Sequence, residues 1–214
     1  MPTVTFEYCA LYYLNWWLTR DRNYCKSLEG SDADVKLAAL LNAATQYRVV
    51  RNLAREFDTK KGIARLHPLL EAIETPARQE FDEPLLIASI LRVRDSVSAA
   101  YGGNNVLSLT TKFLWLRLKR PIIIYDDNSR NALGTSASDL EGFYTRWREE
   151  YAECKSVIRV ACSALPGVRE FCVDPRVATP AYISRVSSTK WFRERVFDIF
   201  LWHQGARQAG RLRR

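Results

Sequence analysis

The sequence predicts a mainly α fold. Apolar residues recur at helical spacing through most of the chain, and the glycine, proline and aspartate signals that start and stop helices punctuate those stretches. Only one short run, Ile122–Tyr125, has the β-branched and aromatic character of an extended segment. Residues 6–20 form an aromatic-rich segment. Over 34–56, Val35, Leu37, Ala38, Leu41, Tyr47, Val50 and Leu53 keep roughly helical period, with Asp32 or Asp34 as the cap. A short helix over Leu66–Ile73 follows a Lys-Lys-Gly turn. Pro84 opens the next helix and Gly102-Gly103 stops it, because proline suits a first turn and glycine the left-handed residue beyond a last one. A helix over 105–119 ends before Pro121, which removes a donor and crowds the preceding turn. Residues 138–158 read as a long amphipathic helix, and 188–204 as a capped final helix ending at Gly205, with a short basic tail from about 206. Without repeats, linkers or low-complexity segments, residues 1–214 read as one mainly helical domain with at most short extended segments.

Composition narrows the function. A chain of this length buries roughly 70% of its unfolded surface on folding, so its core needs no staple. Lys and Arg number 32 against 24 Asp and Glu, and the surplus of 8 favours a polyanionic partner. The last eight residues, RQAGRLRR, supply four of the positive charges. Cys9, Cys25, Cys154, Cys162 and Cys172 are odd in number and contain no C-x-x-C pair, so they read as reduced, mostly buried thiols rather than a zinc ribbon or disulfide framework. The only histidines, His67 and His203, are far apart, which disfavours a histidine metal site or a Ser-His-Asp triad. No metal or other cofactor is indicated. The N-terminal segment MPTVTFEYCALYYLNWWL lacks a basic n-region, and no stretch approaches the roughly 18 apolar residues that span a bilayer, so a cytoplasmic protein without a membrane partner is expected.

The stretch LTTKFLWLRLKRPIIIYDDNSRNALG, residues 109–134, sets a lysine within an apolar helix and ends an apolar run on two aspartates. Gly102-Gly103-Asn104-Asn105 forms a polar turn between two helices, and Lys112 lies two turns into the second. The turn, Thr111-Lys112, the apolar helix Phe113–Leu118 and the extended Ile124-Tyr125-Asp126 resemble the helix-hairpin-helix DNA glycosylases, particularly the 8-oxoguanine glycosylase branch. Trp191–Trp202 resembles a terminal helix of divergent bacterial proteins of that class. Where the family hairpin reads Leu-Pro-Gly-Val-Gly, this chain has Asn105–Leu109, and 14 residues separate Lys112 from Asp126, about one helical turn fewer than in the family. Leu165-Pro166-Gly167-Val168 repeats the hairpin's letters and Val173-Asp174 follows, but Phe171 takes the lysine's place, so this segment reads as a loop.

The resemblance implies a nucleic-acid partner, DNA first, and base excision in which the Lys112 amine attacks the anomeric carbon of a flipped nucleotide while Asp126 stabilises the developing charge or carries protons. That chemistry needs an unprotonated amine, whereas free lysine titrates near 10.4, so the apolar flank Phe113, Leu114 and Trp115 is expected to desolvate it. Gly102, Gly103, Asn104, Asn105, Arg117, Lys119 and Arg120, with Arg92 and Arg94 near them, are the candidate phosphate-facing residues. Trp16, Trp17, Trp191 and Trp202 are the candidates for a base pocket, alongside Tyr12, Tyr13 and Phe192.

Each residue also has a plainer role. Lys112 can lay its stem on apolar surface with its amine in water. Asp126-Asp127-Asn128-Ser129 can cap a helix, the aromatics can be core, and His203 can face a helix C-terminus. Two further classes therefore stand beside the enzyme: a catalytically silent nucleic-acid-binding relative, which the missing glycines favour, and a helical interaction protein with no DNA role.

Overall fold

The computed structural model describes residues 4–50, 53, 59–137 and 139–212. Among them are ten α-helices and no strand: α1 Phe6–Trp16, α2 Arg22–Glu29, α3 Ala33–Gln46, α4 His67–Glu74, α5 Leu86–Ala100, α6 Leu107–Leu118, α7 Asp127–Leu133, α8 Leu140–Ser163, α9 Pro180–Ser187 and α10 Lys190–Leu212. A π-helical turn covers Trp17–Asp21, and 3₁₀ turns cover Thr59–Leu66, Arg78–Phe81 and Leu165–Phe171. Ile122–Tyr125 is neither helix nor strand. No described helix is long and apolar enough to cross a membrane. The mainly α class predicted from periodicity is the class observed.

The chain divides into two compact units, one of Met1–Thr19 with Tyr125–Arg214 and the other of Arg20–Ile124. In the first, α10 packs against α7, α1 and α8, burying Cys9, Tyr13 and Leu14 of α1, Phe143 and Trp147 of α8, and Phe192, Val196 and Phe197 of α10. In the second, α2 packs on α3, and α4, α5 and α6 pack on one another. α6 is buried all round: ten of its twelve residues are buried, so it shows no polar stripe.

Local chemistry explains most boundaries. The Asp32 carboxylate accepts from Asp34 N and Val35 N at 2.9 and 3.1 Å and starts α3. Past α5, Gly102 takes φ 82° and Gly103 N donates to Ser98 O at 2.8 Å, the six-to-one bond that closes a Schellman end.

Several expected boundaries are corrected. The helix expected over 34–56 ends at Gln46, because Arg48 turns to φ 56° while its N–H and that of Val49 cap Thr45 O and Ala44 O; residues 51, 52 and 54–58 lie outside the described residues. Pro84 precedes its helix rather than opening it, since Leu85 is the N-cap of α5. Leu165–Val168 is not a loop but the start of a 3₁₀ turn.

The largest correction concerns Gly205, which does not end the final helix. α10 runs on to Leu212 through what was expected to be a free tail. At Gly205 its backbone meets α7 so closely that an added Cβ would lie 1.7 Å from Asn128 O. Glycine is there for close approach. Gly205→Ala should therefore lower stability by about 1–3 kcal/mol, although alanine is the better helix former by roughly 1 kcal/mol. Urea denaturation checks this, and a stabilised variant would show that α7 can move aside.

Candidate active site and nucleic-acid interface

Lys112 lies in the middle of α6, where every neighbour from Leu109 to Leu116 is buried. The lysine itself is 6% exposed, and its Nζ donates to Ser108 Oγ, one turn back, at 2.6 Å. Lysine is among the residues least often buried, so this amine is held away from bulk water at a cost. Two arginines of the same unit fix the end of its helix. Arg117 donates to the carbonyls of Ile73, of Glu74 at 3.0 Å and of Pro76 at 3.1 Å, covering the C-terminus of α4. Arg78 donates to Arg120 O at 3.2 Å just past α6. Burial lowers the basicity of the Arg117 guanidinium.

Asp126 belongs to the first unit, at the head of α7. Its carboxylate accepts from Asn128 N at 3.0 Å and its carbonyl from Arg130 N at 2.8 Å, so it is the N-cap of that helix. Tyr125 before it donates from its hydroxyl to Ala137 O at 2.8 Å and packs edge-on against Phe143.

The candidate phosphate-facing residues divide by environment. Gly102, Gly103, Asn104 and Asn105 form an exposed turn, with both glycines at positive φ. Asn105 Oδ1 accepts from Leu107 N at 3.2 Å at the start of α6, and Asn104 Nδ2 donates to Tyr101 O at 3.2 Å. Arg117 is turned to the α4 carbonyls just described. Lys119 ends α6 at φ 58°, and its Nζ is 3.5 Å from Glu29 Oε1; Arg120 is half-buried. Arg92 pairs with Glu80, and Arg94 with Asp95.

The candidate pocket aromatics fall into two groups, both in the first unit. Trp17 is core: its ring centroid lies 4.6 Å from that of Trp191, and its Nε1 donates to Tyr182 Oη at 2.9 Å. Tyr13 and Phe192 are also buried, with ring centroids 5.0 Å apart. Trp16 and Trp202 instead belong to the surface: Trp16 stacks on the exposed Tyr12, and Trp202 is exposed. His203 packs edge-on against Tyr8, Tyr12 and Trp202, where desolvation lowers its pKa.

Comparison with known proteins returns nothing: no protein-family model, curated protein or solved structure matches the chain.

Sequence reasoning missed one buried polar cluster in the first unit. Asp198 of α10 accepts from Trp147 Nε1 at 2.7 Å and from Arg195 Nη1 at 2.9 Å, and the Arg195 guanidinium lies over the Tyr13 ring. Burial pushes the Asp198 carboxyl up to about 6, Arg195 and the two hydrogen bonds oppose that rise, and the nearby Asp126 charge adds to it. The sequence signal was present in Arg195 and Asp198 at i,i+3, the spacing of an ion pair on one helix face. Its burial and its Trp147 partner, 51 residues away, left no local trace.

Among the described residues no group of three or more His, Cys, Asp or Glu side chains could hold a metal ion. All five cysteines are free, and four are buried.

Proposed function

We propose that the chain is a DNA glycosylase-like protein that acts on a flipped or modified base, with Lys112 as nucleophile and Asp126 as the carboxylate that assists it. The observation that carries this reading is the burial of Lys112 within α6, ten of whose twelve residues are buried, with a serine hydroxyl on its amine. A buried, specifically bonded ionisable group is costly to keep and marks functional sites more often than ordinary surface. Asp126 adds support: it ends the extended stretch after α6 and has a rotamer fixed by its cap, which suits a group that must meet charge at one atom.

In this chemistry the neutral Nζ attacks C1′ of the nucleotide, the N-glycosidic bond breaks, and the base leaves with the bonding electron pair and takes up a proton. The nitrogen then gives up a proton, the sugar ring opens with its oxygen protonated, and a Schiff base joins Lys112 to C1′. Asp126 accepts the amine proton or stabilises the positive charge that builds on the sugar. Flipping delivers the base, because the anomeric carbon of a stacked nucleotide is out of reach.

Incubation with an abasic-site duplex and borohydride tests the reading, since borohydride reduces the Schiff base to a stable secondary amine. A covalent protein–DNA adduct is expected; its absence with abasic and modified-base substrates alike overturns the lysine chemistry. Asp126→Asn should slow adduct formation while costing about 1 kcal/mol of stability or less, because asparagine also caps helices. Unchanged kinetics in that variant would confine Asp126 to capping.

The catalytically silent nucleic-acid-binding alternative is favoured by a different observation, the absence from Asn105–Leu109 of the glycines of the family hairpin. It predicts binding without any adduct.

A further inference from the structure

The first unit carries a surface row of aromatic rings on α1, two exposed and the third half-buried, whose order suits more than the single flipped base of the lysine chemistry. Tyr8, Tyr12 and Trp16 recur every four residues along one face of α1. Tyr8 is 51% and Tyr12 38% exposed. Successive rings are close to parallel: Tyr8 and Tyr12 have centroids 6.1 Å apart at 30°, Tyr12 and Trp16 6.2 Å apart at 23°. His203 of α10 stands edge-on to both tyrosines and to Trp202, which is itself 42% exposed. The Nε2 of His203 is buried without a hydrogen-bond partner among the described residues, so this ring serves as packing beneath the row. At the other end Asn15 pins a loop with two bonds, Nδ2 to Phe171 O at 3.1 Å and Val173 N to its Oδ1 at 2.7 Å, leaving the Phe171 side chain 63% exposed.

Exposed rings on a rigid helix, backed by a packed histidine and bracketed by a pinned loop, form an ordered surface. Two features fit it to unpaired nucleotides. The row is made of flat rings in near-parallel order, the arrangement on which bases stack whatever their sequence. Positive charge adjoins it as well: Arg207 follows His203 by one turn on α10 and so lies on the same helix face. Phosphates of a strand lying on the rings would meet this charge.

We infer that the Tyr8–Tyr12–Trp16 face of α1, with Trp202 and Arg207 of α10, is a stacking surface for a single nucleic-acid strand. The inference does not depend on Lys112 chemistry. It requires only that unpaired bases reach α1.

The test measures binding of the full chain to labelled oligo(dT) of about 12 nucleotides, within the site sizes known for single-strand binders, and to a duplex of equal length. Tryptophan fluorescence should be quenched by the single strand. Tyr12→Ala should weaken binding roughly tenfold, Tyr12→Phe should keep it within about twofold, and Arg207→Glu should reduce its salt dependence. Thermal melting of each variant separates lost binding from lost folding. The inference is overturned if the wild-type chain ignores oligo(dT) at low salt, if Tyr12→Ala binds as tightly as wild type, or if the duplex binds as well as the single strand. It is equally overturned if the chain self-associates in sedimentation through Tyr12 while ignoring the single strand, which would make the row a protein-docking face. A chain that binds oligo(dT) but forms no adduct keeps the stacking surface and loses the lysine chemistry. Adduct formation with undiminished Tyr12→Ala binding does the reverse.

Discussion

Arg195→Met should destabilise the protein by about 3–5 kcal/mol at pH 8 and by much less at pH 5. Arg195 and Asp198 are each 5% exposed and share a bond of 2.9 Å, so removing the arginine strands a carboxylate in the core of the first unit. Its remaining bond, from Trp147 Nε1, is too little compensation for a buried charge. In the native protein burial already raises the Asp198 carboxyl from 3.8 to about 6, with Asp126 adding to the rise and Arg195 holding it down. A carboxyl raised on folding binds more protons in the folded state. Its contribution to stability is thus fully present below pH 3.8 and is lost as pH rises through about 6. Without Arg195 that loss extends to higher pH and grows larger. At pH 5 the stranded acid is protonated and the penalty largely disappears. Urea denaturation of wild type and variant at both pH values measures the difference, and an equal penalty at each would show that the carboxylate finds another partner or water.

Helix ends show which parts of the fold were legible in the sequence. α3 and α5 finish with the same Schellman bonding, Val49 N to Ala44 O in one and Gly103 N to Ser98 O in the other. At α5 the left-handed residue is Gly102, a recognisable signal, whereas at α3 it is Arg48, which gives none, so the predicted helix ran past the end of α3 at Gln46. Gly205 shows the converse. A glycine near the end of a periodic stretch reads as a stop, but here it admits the backbone of α7, and only the tertiary fold distinguishes the two uses. In the candidate site, the Asp126 cap and the lysine within an apolar run were visible because both are local patterns. The direction of Arg117 was not, because its carbonyl partners lie 41 to 44 residues away. Trp17 looked like a pocket residue and is buried, with its ring against the half-buried Trp191, since aromatic character alone does not distinguish a buried ring from one that receives a base.

Lys112→Gln should abolish borohydride trapping altogether while leaving the helical fold in place. Glutamine lacks a nucleophilic amine yet keeps a long stem and a donor for the Ser108 hydroxyl, so the packing along α6 is largely preserved. Loss of the nucleophile has no partial form, because without the amine there is no Schiff base to reduce. Circular dichroism of the variant should overlay that of wild type, and a thermal midpoint within a few degrees of wild type would tie the loss to chemistry rather than unfolding. Retained trapping would move the nucleophile to another lysine. The most direct measurement is therefore to locate the adduct itself, by digesting the borohydride-reduced complex and mapping the modified peptide by mass spectrometry. The proposed function predicts the sugar remnant on Lys112, within the peptide that crosses α6. A remnant on any other lysine, or on the N-terminal amine, would contradict it.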